Sequence, residues 1–206
     1  MNKKAVLFAN GETPNAKLID RSLINNSFII GIDKGYEIAV NLDLKPDILI
    51  GDLDSVNQDT LDKNIKIIEN KNQDDNDLEK SLIYCVGNNL KDITIYSCTG
   101  KKDDQNLANL LLCYDYSSDL NITIISNFKI INFVSDHREF DSEEHQEISI
   151  IAPNKDTLIT TTNLKFNLNN QALNSKSQGI SNIALGNKFS IKSSDKIILF
   201  LSLIHI

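Results

Sequence analysis

Short apolar runs alternate with stretches of helical periodicity through residues 1–126, and no other feature constrains the fold as strongly. Runs that are apolar at nearly every position suit strands buried on both faces, because the crossover helices of a parallel sheet cover both of its sides. Such runs are AVLFA at 5–9, SFIIGI at 27–32, DILIG at 47–51, IKII at 65–68, DITIYS at 92–97 and NITIIS at 121–126. The pattern predicts an α/β domain built on a parallel sheet.

Two of the intervening stretches have the periodicity of amphipathic helices. In NDLEKSLIYCVGNN, a stripe of Leu78, Leu82, Cys85 and Val86 predicts a helix with Gly87 as the C′ residue that follows its end. DDQNLANLLLCYDY predicts a second helix with Asp103 or Asp104 as its N-cap. Its expected inward face consists of Leu107, Leu110, Leu111 and Tyr114.

Helical periodicity disappears after about Asn127, and short, often alternating runs follow. They are KIINFV at 129–134, QEISIIA at 146–152, TLITTTNLKFNL at 157–168, KFSIKS at 188–193 and KIILFLSLIHI at 196–206. We therefore predict a small antiparallel β-sandwich or barrel domain over 127–206. The last run fits either a final strand or a dimer contact. DHREFDSEEHQE, with His137 and His145, lacks zinc spacing and is expected to be a solvated loop.

Composition limits the partners and the compartment. With 21 Lys and Arg against 28 Asp and Glu, the net charge of −7 repels duplex nucleic acid. No apolar run approaches the roughly 18 residues of a membrane helix, and the N-terminal residues predict a strand and not a signal peptide. Three cysteines without CxxC spacing are typical of reduced core residues, so we expect a cytoplasmic protein.

Two aspartates end the apolar run ILIGDLDSV. Residues two apart in a strand point the same way, so Asp52 and Asp54 are expected to project together from the strand's carboxyl end. Paired carboxylates repel unless a cation lies between them or one is protonated, and oxygen ligands favour Mg²⁺. Ligands bind at this edge of open α/β sheets. The alternative is an acidic loop in which Asp54 or Ser55 caps a helix.

Two further polar clusters each precede a predicted helix. NQDDNDLEK carries Asp74, Asp75 and Asp77, which is more acid than a helix cap needs and which a metal-phosphate site could use. CTGKKDDQNLANL sets Lys101 and Lys102 before a helix, where backbone N–H groups and ammonium groups favour an anion such as phosphate. The P-loop pattern GxxxxGK[ST] is absent there.

Taken in order, four segments resemble the thiamine pyrophosphokinase family. They are GIDKGYEIAVNLDLKPDILIGDLDSV, NQDDNDLEKSL, CTGKKDDQNLANL and SQGISN. Pro46 to Ser55 and Gln73 to Lys80 are the specific matches. The resemblance implies an ATP- and Mg²⁺-binding catalytic domain at 1–126 and a thiamine-binding and dimerisation domain at 127–206. It also implies a homodimer with active sites at the subunit interface, and transfer of pyrophosphate from ATP to thiamine.

The resemblance carries over to individual residues. The catalytic carboxylates that it implies are Asp52, Asp54, Asp74 and Asp77, with Mg²⁺ on Asp52, Asp54 and Asp77. The nucleotide contacts that it implies are Asn10, Gly11, Asp33, Lys102 and Asp104. The substrate contacts that it implies are Gln73, Lys80, Ser181 and Asn182, the last two facing thiamine.

Several positions depart from the family pattern. Lys34 and Lys101 stand where the family has Gly, Lys102 replaces Arg, and Gln105 replaces His. A lysine neutralises phosphate but lacks the bidentate fork of arginine, so nucleotide affinity or choice could differ. The chain contains no Trp, so any aromatic contact to thiamine must come from Phe or Tyr.

Two other functions remain open from the sequence. ILIGDLDSV is also similar to the nucleophile loop of haloacid-dehalogenase-like phosphatases, although Ser55 and Val56 shift the pattern and the later acidic pair is out of order. A non-catalytic thiamine or nucleotide sensor is the third hypothesis, because the changes at Lys101 and Gln105 could accompany a loss of activity.

Overall fold

A computed structural model describes residues 3–51, 56, 61–69 and 74–203. The chain divides into two compact units, Met1–Asn127 and Phe128–Ile206, in a mixed α/β fold. The longest helix of the described ranges has 14 residues, and none of the helices there combines the length and hydropathy needed to cross a membrane.

The first unit contains a parallel sheet, as the continuous apolar runs predicted. Its strands, within the described residues, are β1 at Lys3–Phe8, β2 at Phe28–Ile32, β3 at Ile48–Ile50, β4 at Lys66–Ile68, β5 at Leu90–Tyr96 and β6 at Asn121–Ile125. Every adjacent pair in the order β6-β5-β1-β2-β3-β4 is parallel. The three residues of β3 are all buried, but Lys66 and Ile67 of β4 are exposed, so the predicted burial on both faces is wrong for β4, which ends this strand order. The carboxyl ends of these strands share one edge of the sheet.

Described helices lie between β1 and β2, between β2 and β3, between β4 and β5, and between β5 and β6. The described helices of this unit are α1 at Arg21–Asn25, α2 at Gly35–Asn41, α3 at Asp77–Gly87 and α4 at Asp103–Tyr116, with a turn of 3-10 helix at Ala16–Leu18. In α3 the stripe prediction is confirmed for Leu78, Leu82 and Cys85, which are buried, whereas Val86 is only half-buried. The predicted C′ role of Gly87 is wrong, because Gly87 is the last helical residue and Asn89 (φ 57°) takes the left-handed position after the C-cap Asn88.

The predicted inward face of α4 is wrong at Leu107 and Leu111, whereas its other two members, Leu110 and Tyr114, are half-buried. Leu107 and Leu111 are 59% and 48% exposed, and the buried residue of the helix is Cys113. The inner face instead carries Asn106 and Asn109, which bond to the loop after β5. The predicted cap is also wrong, because the N-cap is Lys102, whose side chain makes no capping bond.

The second unit is antiparallel. Its strands in the described residues are β7 at Lys129–Asp141, β8 at Glu147–Ile151, β9 at Ile159–Thr162, β10 at Asn182–Ile183 and β11 at Lys188–Ser202. Along one edge β11 pairs with β7, and along the other it pairs with β9 near its start and with β8 near its end. These strands surround a core in which Phe140 stacks on Phe189 with 5.4 Å between ring centroids.

Two expectations for this unit need correction. KFSIKS and the start of KIILFLSLIHI are one strand, β11, because backbone pairing continues through a register shift between Ser193 and Ile197. His137 lies in β7 and pairs in register with Lys192, so the expected surface loop is a strand at this point, although His137 is exposed.

Candidate active site

A cleft lies at the carboxyl edge of the parallel sheet. It has a volume of about 190 Å³ and is bounded by the loops after β1, β2 and β5 and by the starts of α3 and α4. Five of the residues predicted from the sequence to bind a ligand line it, namely Asn10, Gly11, Asp33, Asp77 and Lys102. They come from four separate segments of the chain, and the parallel topology brings them together.

A larger cavity, of about 840 Å³, lies at the opposite edge of the sheet. It is lined by residues at strand starts, such as Lys3, Phe28 and Leu90, and by Tyr84 of α3. Ligands of open α/β sheets bind at the carboxyl ends of the strands. The smaller cleft is therefore the candidate active site.

Backbone hydrogen bonds join the loop after β1 to the loop after β5. Gly11 N donates to Ser97 O at 2.6 Å, and Glu12 N donates to Thr99 O at 2.8 Å. A Cβ atom on Gly11 would lie 2.3 Å from Ser97 O and 2.4 Å from Thr99 O, so a larger residue would separate the loops. Gly11 is thus required by the close approach of two backbone segments.

Asparagine, aspartate and lysine side chains form a chain of hydrogen bonds in the cleft. Asn10 Nδ2 donates to Asp33 Oδ2 at 3.0 Å, and Lys101 Nζ donates to Asn10 Oδ1 at 3.1 Å. Asp33 has a φ of 50°, a conformation that aspartate tolerates better than most side chains. The contact between Lys101 and Asn10 is not predicted from the sequence, because the two residues are 91 positions apart.

Asp77 enters the cleft from the first turn of α3. The Asn76 side chain caps this helix by accepting from Glu79 N at 2.8 Å. Asp77 Oδ1 accepts from Lys80 Nζ at 3.1 Å, and Lys80 is only 8% exposed. A nearly buried ammonium group requires a charge partner, so Lys80 fixes the position of Asp77.

Two asparagines of α4 hold the loop that precedes the helix. Asn106 Oδ1 accepts from Gly100 N at 3.0 Å, and Asn109 Nδ2 donates to Cys98 O at 2.8 Å. Sequence reasoning missed both residues. Their three-residue spacing was the available signal, since positions 106, 109 and 113 share one helix face.

The Cys113 thiol of α4 is buried and lies beside the Cys98 thiol. A hydrogen bond with the Cys98 thiol, together with burial, raises the pKa of the Cys113 thiol well above its usual range. Cys113 is therefore protonated at neutral pH and is unsuited to act as a nucleophile.

Other predicted site residues lie away from the cleft or outside the described residues. Asp74 and Asp104 are exposed and do not line the cleft, and Asp104 Oδ1 accepts from Gln105 N at 2.9 Å. Asp52, Asp54 and Gln73 lie outside the described residues.

Ser181 and Asn182 belong to the second unit. Ser181 has a φ of 57°, and its N–H donates to Ser149 Oγ at 3.0 Å. The Asn182 amide accepts from Phe166 N at 3.0 Å and donates to Phe166 O at 2.7 Å. Phe166 is 65% exposed, and Lys165 Nζ lies 5.6 Å from its ring centroid. Asn182 therefore positions a loop that presents an aromatic ring to solvent.

Two carboxylates of the kind that bind Mg²⁺ line the cleft. Among the described residues no cluster of three or more His, Cys, Asp or Glu side chains could hold a metal. Asp33 and Asp77 nevertheless contribute two carboxylates to one cleft, and carboxylate oxygens are the protein ligands that Mg²⁺ prefers. Asp52 and Asp54 follow β3 in the sequence by two and four residues.

The protein has a parallel sheet with a charged cleft at its carboxyl edge. This arrangement is typical of α/β proteins that bind ligands at the ends of their strands. The model of the thiamin pyrophosphokinase catalytic domain matches residues 19–125, and the model of the thiamin pyrophosphokinase substrate-binding domain matches residues 130–200. The chain therefore belongs to the thiamin pyrophosphokinase family. It is an enzyme that transfers pyrophosphate from ATP to thiamine.

Solved structures share the fold along nearly the whole chain. Thiamine pyrophosphokinase from Bacillus subtilis has 22% identity and a TM-score of 0.84, with 97% of this chain and 98% of that chain covered. A thiamin pyrophosphokinase family protein from Enterococcus faecalis has 20% identity and a TM-score of 0.85, with 98% and 100% covered. The Candida albicans enzyme has 18% identity and a TM-score of 0.81, with 98% and 90% covered. No curated protein matches the sequence. The family matches support the kinase and neither the phosphatase nor the sensor.

Proposed function

We propose that the cleft binds the polyphosphate of ATP as its magnesium complex. The observation that carries this proposal is the convergence of Asn10, Asp33, Asp77 and Lys102 on one cleft at the carboxyl edge of the sheet. Asn10, Gly11 and Asp33 would contact the nucleotide, and Lys102 would neutralise its phosphates. Asp104, at the start of α4, is retained as a nucleotide contact on the family resemblance alone.

The proposed metal ligands are Asp52, Asp54 and Asp77. Asp74, which does not line the cleft, is retained as a catalytic carboxylate on the family resemblance alone. When bound, Mg²⁺ supplies charge neutralisation to the phosphates. Lys80 would hold the Asp77 carboxylate in place, as its 3.1 Å bond indicates. Gln73 completes the proposed polar set on this side, by resemblance to the family.

The reaction is a displacement at the β-phosphorus. The primary hydroxyl oxygen of thiamine forms the new bond, the bond from the β-phosphorus to the α,β-bridging oxygen breaks, and AMP leaves with that oxygen. The hydroxyl proton passes to a carboxylate or to water. Positioning and charge neutralisation make up most of the catalysis, because the protein forms no covalent bond in such a transfer.

The second unit is the proposed thiamine-binding and dimerisation domain, a β-sandwich over 127–206 that follows the catalytic domain at 1–126. Ser181, Asn182 and Phe166 are its proposed thiamine side. The Phe166 ring already has the Lys165 ammonium group near its face, and the thiazolium ring of thiamine is also a cation. The resemblance further suggests a homodimer with active sites at the subunit interface. Free, buried cysteines support a location in the reducing cytoplasm.

The test is a direct assay of the purified protein. Incubation with thiamine, ATP and Mg²⁺ should yield AMP and thiamine diphosphate in equal amounts, and EDTA should stop the reaction. Release of inorganic phosphate without thiamine diphosphate would favour the phosphatase. ATP binding without any product would favour the sensor.

A further inference from the structure

Lys101 connects two loops that carry proposed nucleotide contacts. It follows Gly100, whose φ of 104° turns the chain sharply after β5. A Cβ atom on Gly100 would lie 2.5 Å from Glu12 Cβ, so the turn is packed against the loop after β1. From this turn Lys101 Nζ reaches Asn10 Oδ1 at 3.1 Å.

The contact fixes which way the Asn10 amide points. Its oxygen faces the Lys101 ammonium group and its nitrogen faces the Asp33 carboxylate. The flipped amide would set NH₂ against an ammonium group and C=O against a carboxylate, and both contacts would be repulsive. Lys101 thus holds the Asn10 amide in the orientation that donates to the Asp33 carboxylate.

The Lys101 ammonium group also has N–H donors that its bond to Asn10 does not use. A lysine carries three N–H donors, and the bond to Asn10 uses one of them. Lys101 and Lys102 are exposed neighbours that both line the cleft. The two lysines therefore bring two ammonium groups to one cleft, and neither of them supplies the bidentate fork of a guanidinium.

We propose that Lys101 is a positioning residue for the nucleotide polyphosphate, holding the Asn10 amide against Asp33 and adding a second ammonium group beside Lys102. This inference rests on the proposed binding of ATP in the cleft.

Measuring the affinity for ATP tests the proposal without relying on catalytic turnover. Calorimetric titration of the full-length protein with ATP and Mg²⁺ should give a Kd about fivefold higher for Lys101→Ala than for wild type. KM for ATP should rise in parallel while KM for thiamine is unchanged. Lys101→Arg should restore affinity to within about twofold, because it keeps both the charge and a donor. Lys17→Ala is the matched control, since it removes one exposed charge outside the cleft.

A double-mutant cycle separates positioning from simple charge. Lys101→Ala should weaken ATP binding less in an Asn10→Ala background than in wild type. Equal losses in the two backgrounds would overturn the positioning role, and an unchanged Kd in Lys101→Ala would overturn the whole inference. If wild type binds ATP but forms no thiamine diphosphate, the proposed function fails while these binding measurements still decide the role of Lys101.

Discussion

The loops at the carboxyl edge of the parallel sheet and the turns of the antiparallel unit use asparagine in different ways. In the first, Asn10 is exposed and lies between two charged side chains, Lys101 and Asp33. In the second, Asn182 is buried and bonds to backbone atoms of Phe166. The asparagine side chain therefore has two roles: Asn10 positions charged groups in the cleft, and Asn182 holds a loop of the second unit in place.

This difference follows from the two kinds of sheet. Parallel strands end together, so the loops that follow them place side chains from distant segments side by side. An antiparallel unit has many turns whose backbone groups need partners, and short polar side chains supply them. Substitutions of the charged cleft residues should therefore change kinetics, and substitution of the buried Asn182 should change stability.

The largest expected effect is at Asp77. Asp77→Asn keeps the shape of the side chain and removes its charge, so turnover should fall at least about 100-fold. Thermal unfolding should show that the fold survives. Asp54→Asn should show the same loss of turnover with the same survival of the fold. Asp75→Asn, an acidic neighbour that does not line the cleft, is the control, and near-normal pyrophosphate transfer by Asp77→Asn would contradict the assignment.

Asn182→Ala tests the other side of the comparison. It removes the bonds to Phe166 N and O and leaves those backbone groups without these partners, so the free energy of unfolding should fall by about 1–3 kcal/mol. Urea denaturation measures this loss. Asn169→Ala, at an exposed asparagine of the same loop, should change little. Wild-type stability of Asn182→Ala would show that the amide is not structural.

Phe166→Ala should affect one substrate only. Loss of an exposed ring that binds a cation should raise KM for thiamine about tenfold and leave KM for ATP unchanged. Phe166→Tyr keeps the ring and should retain most of the affinity. Equal changes in both KM values would count against Phe166 as a thiamine contact.

The smallest effect concerns pH. A hydrogen bond from Lys129 lowers the pKa of Glu147 below its ordinary value of 4.5. Because the carboxylate is favoured in the folded state, its contribution is present above about pH 4.5 and is lost as the pH falls through the lower folded-state pKa. Glu147→Gln should be less stable than wild type by under about 1 kcal/mol at pH 7. Urea titrations at pH 7 and at pH 3 should show this difference shrinking in acid.

The sequence predicted the parallel strands well because the signal is local. Apolar runs such as those around Leu7 and Leu49 must be buried on both faces wherever the chain takes them. The first turn of α3 was equally readable, since a helix start accumulates polar residues such as Asn76 and Asp77.

The face of α4 could not be read in the same way. Leucines usually mark the inward side of a helix, but Leu107 and Leu111 are exposed here. The loop after β5 has backbone groups that require hydrogen-bond partners, and Asn106 and Asn109 supply them. This requirement determines which face of α4 turns inward. Hydrophobic periodicity gives no information about hydrogen bonds to a neighbouring loop.

The sequence by itself determined the α/β and antiparallel character of the two parts, the order of the acidic and basic motifs, and the family that they indicate. The tertiary structure alone decided that Asn10 would meet Asp33 and Lys101, which lie 23 and 91 residues further along the chain. Local patterns follow from burial and backbone geometry within a few residues. Contacts between distant side chains depend on the order in which strands pair, and that order is a property of the folded sheet.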